Sequence, residues 1–224
     1  MDFQRARNDE QREQRRQLIL AKAAEMLAEM PVAELSLNEL SRQVGLAKSN
    51  VLRYFETREA ILLELLSAEL KSWAGVLDDL PVTAGGTQRQ RIDHLASMVT
   101  DSLTARPLLC DLASAQAAVL ERNVSMTVVL SHKLAVRAVV ERVADTFRRH
   151  LPELTREDAL QAISVVLLMT AAAWPHSTPT QAVLDAYKAE PRLAELHLGF
   201  ADYVRGTLEV FLSGILARKP DAGP

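Results

Sequence analysis

The sequence predicts an all-α protein: an N-terminal three-helix unit carrying a helix-turn-helix, then a larger helical domain, about nine or ten helices in all. Three observations carry this. Apolar residues recur at three- and four-residue spacing through almost every segment. Aromatic residues make up only 4% of the chain and glycines number 8, too few for a sandwich or barrel. Hydrophobic residues reach 48% of the 224, enough for a sizeable core and too many for wholesale disorder.

The elements follow in order. Residues 1–15 read as a frayed, mixed-charge tail. Ile19, Ala23, Met26, Leu27 and Met30 mark a helix from about Arg16 to Met30, stopped by Pro31. Ser36-Leu37-Asn38-Glu39 has the capping-box pattern and starts a short helix with Leu37, Leu40 and Val44 as its stripe. Gly45 ends it. A second short helix is expected over Lys48–Phe55. Thr57 then caps a longer one bearing Leu62, Leu66, Leu70, Trp73 and Leu77. Pro81 to Thr87, with Gly85-Gly86, reads as a linker.

Beyond the linker, Ile92, Leu95, Val99 and Leu103 mark one helix, and Leu108–Arg122 is a second, opened by Pro107. Val129, Val136, Val140, Val143 and Phe147 mark a third. Thr155-Arg156-Glu157-Asp158 resembles a capping box and opens a very apolar helix ending at Trp174. Pro175–Thr180 reads as a loop, Gln181–Ala189 as a short helix, and Leu193–Ala217 as the last helix. The longest apolar stretch, Ala162–Trp174, falls short of the roughly 20 residues that span a bilayer. The charged N-terminus lacks the apolar core of a signal peptide.

Composition excludes several chemistries. Cys110 is the only cysteine, so no intramolecular disulfide or multi-cysteine metal site is possible, and a reducing cytoplasm is the expected compartment. The five histidines show no paired metal spacing, and no Gly-rich phosphate loop or Gly-x-Ser-x-Gly is present. No catalytic residue, metal or cofactor is expected, and no membrane partner. The net charge of −3 argues, taken alone, against nucleic acid. Locally the balance reverses. Over residues 42–58, Arg42, Lys48, Arg53 and Arg58 face only Glu56.

Two short helices joined by a glycine turn form a helix-turn-helix pattern, whose second helix enters the major groove. On a continuous α-helical wheel Val51 and Phe55 face the core, which turns Ser49 and Arg53 to the groove with Lys48, Asn50 and Leu52 beside them. Arg53 suits guanine and Asn50 suits adenine. Lys48, Arg58 and the cap residues Ser36 and Thr57 suit phosphates. Tyr54 reads either as a packed ring or as a phosphate donor. Each of these charges alone would pass for a solvated one; their common register is what carries the reading.

These residues carry a resemblance. Ile19-Leu20, Ala23, Glu25, Ser36 to Leu40, Gly45 to Phe55 and Thr57 to Ile61 make residues 19–62 similar to the DNA-binding domain of the TetR family of transcriptional repressors. Ala47, Leu52 and Pro31 depart from the family pattern, which shifts the expected phosphate load onto Lys48, Tyr54 and Arg58. The resemblance implies a 16–62 helix-turn-helix domain after the 1–15 tail. A ligand-binding and dimerisation domain over 63–217 and a 218–224 tail would follow. It implies a homodimer, a double-stranded palindromic DNA operator, and a small-molecule effector whose binding shifts the population away from the DNA-fitting state, with residues 57–80 transmitting the change. The rival reading is a helical interaction module, or an enzyme needing no cofactor, with a vestigial helix-turn-helix.

Independently, Ala159–Leu184 contains no Lys, Arg, Asp or Glu, so it calls for burial on more sides than one chain readily offers. The expected dimer surface comprises Val166, Met169, Ala173, Phe200, Val204, Leu208 and Phe211. The expected pocket lining comprises Trp73, Met98, Cys110, Asp111, Met126, His132, Phe147 and Met169. His132 reads as a core histidine or a ligand contact, Cys110 as an inert thiol more readily than a redox sensor.

Overall fold

The computed structural model describes residues 2–82 and 85–218, with side chains described from Glu10 onward. Among these residues there are ten α-helices and no strand. They are α1 (Asp2–Leu27), α2 (Leu37–Gln43), α3 (Lys48–Val51), α4 (Arg58–Asp78), α5 (Gln88–Thr104), α6 (Pro107–Ala115), α7 (Met126–His150), α8 (Arg156–Ser177), α9 (Gln181–Ala189) and α10 (Phe200–Ala217). Short 3-10 turns occupy Val32–Glu34 and Pro191–Leu196, and a π-turn occupies Gln116–Leu120. The chain divides into two compact units: Met1–Glu69 with Ala115–Leu134, and Leu70–Ser114 with Ala135–Pro224.

In the first unit, Ile19, Ala23, Leu35, Leu40, Val51, Phe55, Ile61 and Leu62 are buried together as the core of α1 to α4. The turn after α2 is a Schellman motif. The Leu46 amide donates to the Ser41 carbonyl and the Gly45 amide to Arg42, with Gly45 at φ +67°. That conformation strains any residue with a Cβ, which is why glycine stands there. Residues 2–15, expected as a frayed tail, continue α1 instead. The segment is rich in Arg, Gln and Glu, good helix formers, and Gln17 donates back to Glu13 at 2.7 Å.

A buried polar pair lies deeper in this unit. Ser67 Oγ donates to the Leu63 carbonyl (2.9 Å) and lies 2.8 Å from His132 Nδ1. With the serine proton committed, Nδ1 carries the imidazole proton and donates to Ser67. Nε2 is then left buried without a partner.

In the second unit α10 packs against α5 and α8. Thr87–Gln90 and Thr155–Asp158 form full reciprocal capping boxes at the starts of α5 and α8. Asp78, at the end of α4, is a hub. It accepts from Thr146 Oγ1 (2.5 Å), from Arg149 (3.0 Å) and from Arg142. Burial works against its charge, but the bonds from Thr146 and Arg142, helped by Arg149, hold its carboxyl below the usual range.

Three boundaries differ from the sequence reading. The helix opened by Pro107 changes to a π-turn at Gln116. The helix from Thr155 runs through Pro175 to Ser177. The last expected helix divides into a 3-10 turn and α10, with Gly199 as N-cap of the latter. Residues 83–84 of the linker and 219–224 of the C-terminal tail lie outside the described residues.

Helix α8 spans 22 residues and is, among the described residues, the helix long and apolar enough to cross a membrane by length and composition. One of its faces, Ala159, Ala162, Ile163, Val166, Thr170 and Ala173, is buried within the unit.

Burial first, and then the Lys133 charge, push the His132 imidazole below its usual value. The unfolded chain therefore takes up this proton before the folded one does. The stabilisation is full above about pH 6.5 and declines as the pH falls below it. Thermal melts from pH 7.5 to 5.5 should show falling stability, and His132→Asn should reduce that dependence, leaving the part due to His150, which burial also lowers.

Candidate nucleic-acid interface

The interface is built by three short stretches of the first unit. Lys48, Ser49 and Asn50 are exposed at the start of α3, while Val51 is buried beneath them. Ala47 occupies the N-cap position and supplies no side-chain bond. Ser36 caps α2 by accepting from the Glu39 amide (3.1 Å). The reciprocal half of that capping box is missing, because the Glu39 carboxylate is engaged by Arg42 and Gln43 instead. Those bonds, Arg42 first, lower the Glu39 pKa. Thr57 caps α4 by accepting from the Ala60 amide (3.1 Å).

After Val51 the chain stops being α-helical. The Arg53 amide donates to Asn50 and the Tyr54 amide to Val51, three-residue bonds of a tighter turn, while the Leu52 and Phe55 amides keep four-residue bonds to Lys48 and Val51. Val51 and Phe55 are buried and Ser49 and Arg53 exposed, so the two faces expected from the wheel survive this tightening. Arg53 and the half-buried Tyr54 line an open cleft of about 540 Å³ with Gln11, Arg12 and Arg15 of α1.

Arg58 has a partner that the sequence did not suggest. Its Nη1 donates to the Leu35 carbonyl at 3.0 Å, which ties α4 to the loop before α2. Its Nε is buried without a hydrogen bond, 3.6 Å from the Glu59 carboxylate.

Sequence reasoning missed Arg16. Its Nη1 donates to the Tyr54 carbonyl (2.5 Å), its guanidinium sits 4.3 Å from the centre of the Phe55 ring, and its other Nη contacts the Glu64 carboxylate. Only knowledge of which ring faces α1 would have singled out Arg16 among the five arginines of residues 1–16.

The other expected site residues are scattered. Trp73 and Phe147 are fully buried, and Trp73 Nε1 donates to Ser102 Oγ (2.9 Å). Cys110 is buried with its thiol toward the Leu103 carbonyl (3.5 Å), and burial, with Asp111 next to it, pushes the thiol up to about 12. It is unreactive at neutral pH. Met98, Asp111 and Met169 are half-buried. Met126 is 76% exposed at the start of α7. His132 is the core histidine with Ser67 and belongs with Met126 to the first unit.

Five of the seven expected dimer residues are also corrected. Val166, Ala173, Phe200, Val204 and Leu208 are buried inside the second unit, where α10 packs on α8 and α5, and Trp174 meets Phe200 edge-on at 5.2 Å. Met169 and Phe211 remain half-exposed.

A basic, exposed short helix behind a glycine turn, set on a three-helix core, defines a helix-turn-helix DNA-binding regulator. Residues 19–65 match the model of bacterial regulatory proteins of the tetR family, and residues 67–219 match the tetracyclin repressor-like C-terminal domain. The chain belongs to the TetR family, whose members are DNA-binding transcriptional regulators and not enzymes.

Solved structures share the fold. A TetR transcriptional regulator from Rhodococcus sp. RHA1 aligns with a TM-score of 0.55 at 16% identity, covering 96% of this chain and 99% of that one. A candidate transcriptional regulator from Streptomyces coelicolor A3(2) aligns with a TM-score of 0.54 at 19% identity, covering 92% and 98%. No curated protein matches the sequence.

Arg58→Ala should lower the melting temperature by several degrees and leave the salt dependence of DNA binding nearly unchanged. A loss of about one in the salt slope with unchanged stability would return Arg58 to the phosphates.

Proposed function

We propose that this TetR-family protein is a homodimeric, cytoplasmic repressor that reads a palindromic operator with α3 and is released by a small-molecule effector. The observation that carries the DNA reading is the run Lys48-Ser49-Asn50, solvent-exposed on a helix whose other side is locked into the core by Val51. Asn50 is the residue assigned to adenine, where its amide can pair bidentately. Lys48 is assigned to a phosphate, and the exposed Ser36 hydroxyl to another.

The dimer reading is supported by an uncovered apolar face. Leu168 of α8 is 66% exposed and Val210 of α10 is 75% exposed. Tyr203 stands out beside Met169, its hydroxyl 4.0 Å from Sδ. Large side chains standing outward on adjacent helices form the kind of patch that a second copy buries. The interface is therefore assigned to Leu168, Met169, Tyr203, Val210 and Phe211, one helical face round from the buried residues first expected.

Two features support an effector. Thr100 and Thr170 are buried hydroxyls of the second unit with no hydrogen-bond partner among the described residues. A bound polar molecule would satisfy groups that otherwise carry a desolvation cost of about 1–3 kcal/mol each. In the first unit, Glu56, just past α3, accepts from the Ser125 amide at 2.5 Å. That bond ties the segment following the π-turn to the end of the reading helix, so a shift of this segment bears directly on α3. An effector must bind the released state better than the operator-bound one for this to act as a switch.

Selection of duplexes from a random pool should return an inverted repeat. Asn50→Ala should relax the preference at one base step of each half-site, worth about 1–3 kcal/mol of discrimination. Selection that returns no common sequence would overturn the regulator reading.

Val210→Asp should give a monomer by light scattering, with its helical content intact. A dimer that survives both Val210→Asp and Leu168→Asp would place the interface elsewhere.

A further inference from the structure

We infer that the arginine cleft between α1 and the end of α3 holds a backbone phosphate of the DNA flanking the bases that α3 reads. The site extends the contact surface beyond the helix-turn-helix, and the inference rests on the proposal that α3 enters the major groove. The cleft is lined by Gln11, Arg12, Arg15, Arg53 and Tyr54. Three guanidiniums, an amide and a phenol converge there, and no carboxylate lines it among the residues whose side chains are described. Among the described residues Arg12, Arg15 and Arg53 have no side-chain hydrogen bond or ion pair. The nearest carboxylate along the helix, Glu13, is turned to Gln17 (2.7 Å) and Arg16 (3.7 Å).

Three like charges in one cleft repel each other and gain from an anion. Guanidinium groups suit phosphate because their planar donors match its oxygens in pairs. Position selects the DNA backbone as its source. Arg53 and Tyr54 follow the exposed Lys48-Ser49-Asn50 by one turn, and the walls of a groove occupied by such a helix are phosphates. Arg12 and Arg15 are exposed on a helix whose register is fixed one turn later by Arg16, which is bonded to the Tyr54 carbonyl itself. The two α1 arginines are therefore held beside α3 before DNA arrives, which lessens the ordering cost of the contact.

The test compares the full-length protein with the Arg12→Ala/Arg15→Ala variant on the duplex selected by the wild type. Both side chains are exposed, and equal melting curves confirm the fold. The variant should select the same bases, while the slope of log K against log salt falls by about 0.9 per protomer, the value for one phosphate contact. Arg12→Lys/Arg15→Lys should restore most of the slope. Placing a neutral methylphosphonate at the flanking phosphate should weaken the wild type and leave the alanine variant indifferent. An unchanged slope, or a changed base preference, overturns the phosphate assignment while leaving the major-groove reading intact. Stabilisation of the wild type by inorganic phosphate alone, lost in a variant whose DNA binding is unaltered, makes the cleft a small-anion site and also overturns it. A wild type that selects no duplex overturns the groove reading itself.

Discussion

The DNA-reading unit depends on where Arg16 sits. Its guanidinium lies on the face of Phe55, donates to the Tyr54 carbonyl and meets Glu64. One side chain thereby joins α1, the turn after α3 and α4. The geometry needs arginine. Its planar group can stack on a ring while its edge donates in two directions, which an ammonium cannot do. The Tyr54 carbonyl belongs to the tight turn that ends α3, where regular helical bonding has stopped. Arg16 supplies the donor that the backbone at this point lacks. Hydrogen bonds to charged groups contribute about 1.5–3 kcal/mol each, so the cluster is a large share of what orients a helix of only four residues.

A second constraint governs the other unit. Helix α8 carries no Lys, Arg, Asp or Glu after Asp158, yet it is buried along one face only. The buried face mixes small residues, Ala159, Ala162 and Ala173, with Ile163 and Val166, and α10, which packs on it, buries Val204 and Leu208. Leu168 of the same helix stays outward. A helix reading as apolar all round thus satisfies two surfaces of different kinds.

Much of this was legible in the sequence. The helical period, Gly45 and the Thr155–Asp158 box give local signals that tertiary contacts did not override. What was not legible has physical causes. The cleft that Arg53 and Tyr54 share with Gln11, Arg12 and Arg15 was not legible, because the wheel of α3 says nothing of which α1 side chains lie beside it. The bonds of Arg58 and Asp78 were not legible because their partners, Leu35 and the α7 residues Arg142, Thr146 and Arg149, are distant in sequence. The Ser36–Glu39 box closed only halfway because Arg42 competes for the same carboxylate. Helical periodicity placed Val204 and Leu208 on a buried stripe, but it does not say whether the covering surface is the same chain or another.

Charge shows how the local arrangement outweighs the global count. The whole chain carries −3, and residues 1–60 hold equal numbers of basic and acidic groups. Long-range attraction to DNA is accordingly weak. The acidic groups near α3 are nevertheless withdrawn from the surface it presents: Glu39 by Arg42, Glu56 by the Ser125 amide, Glu64 by Arg16 and Glu13 by Gln17 and Arg16. Lys48, Arg53, Arg12 and Arg15 are left without such partners among the described residues. Within a Debye length of roughly 8 Å, a phosphate meets those cations and hardly senses the chain's total charge. Affinity then has to come from close contact, twice over if the protein pairs, and each contact counts in the salt dependence and little in the rate of encounter.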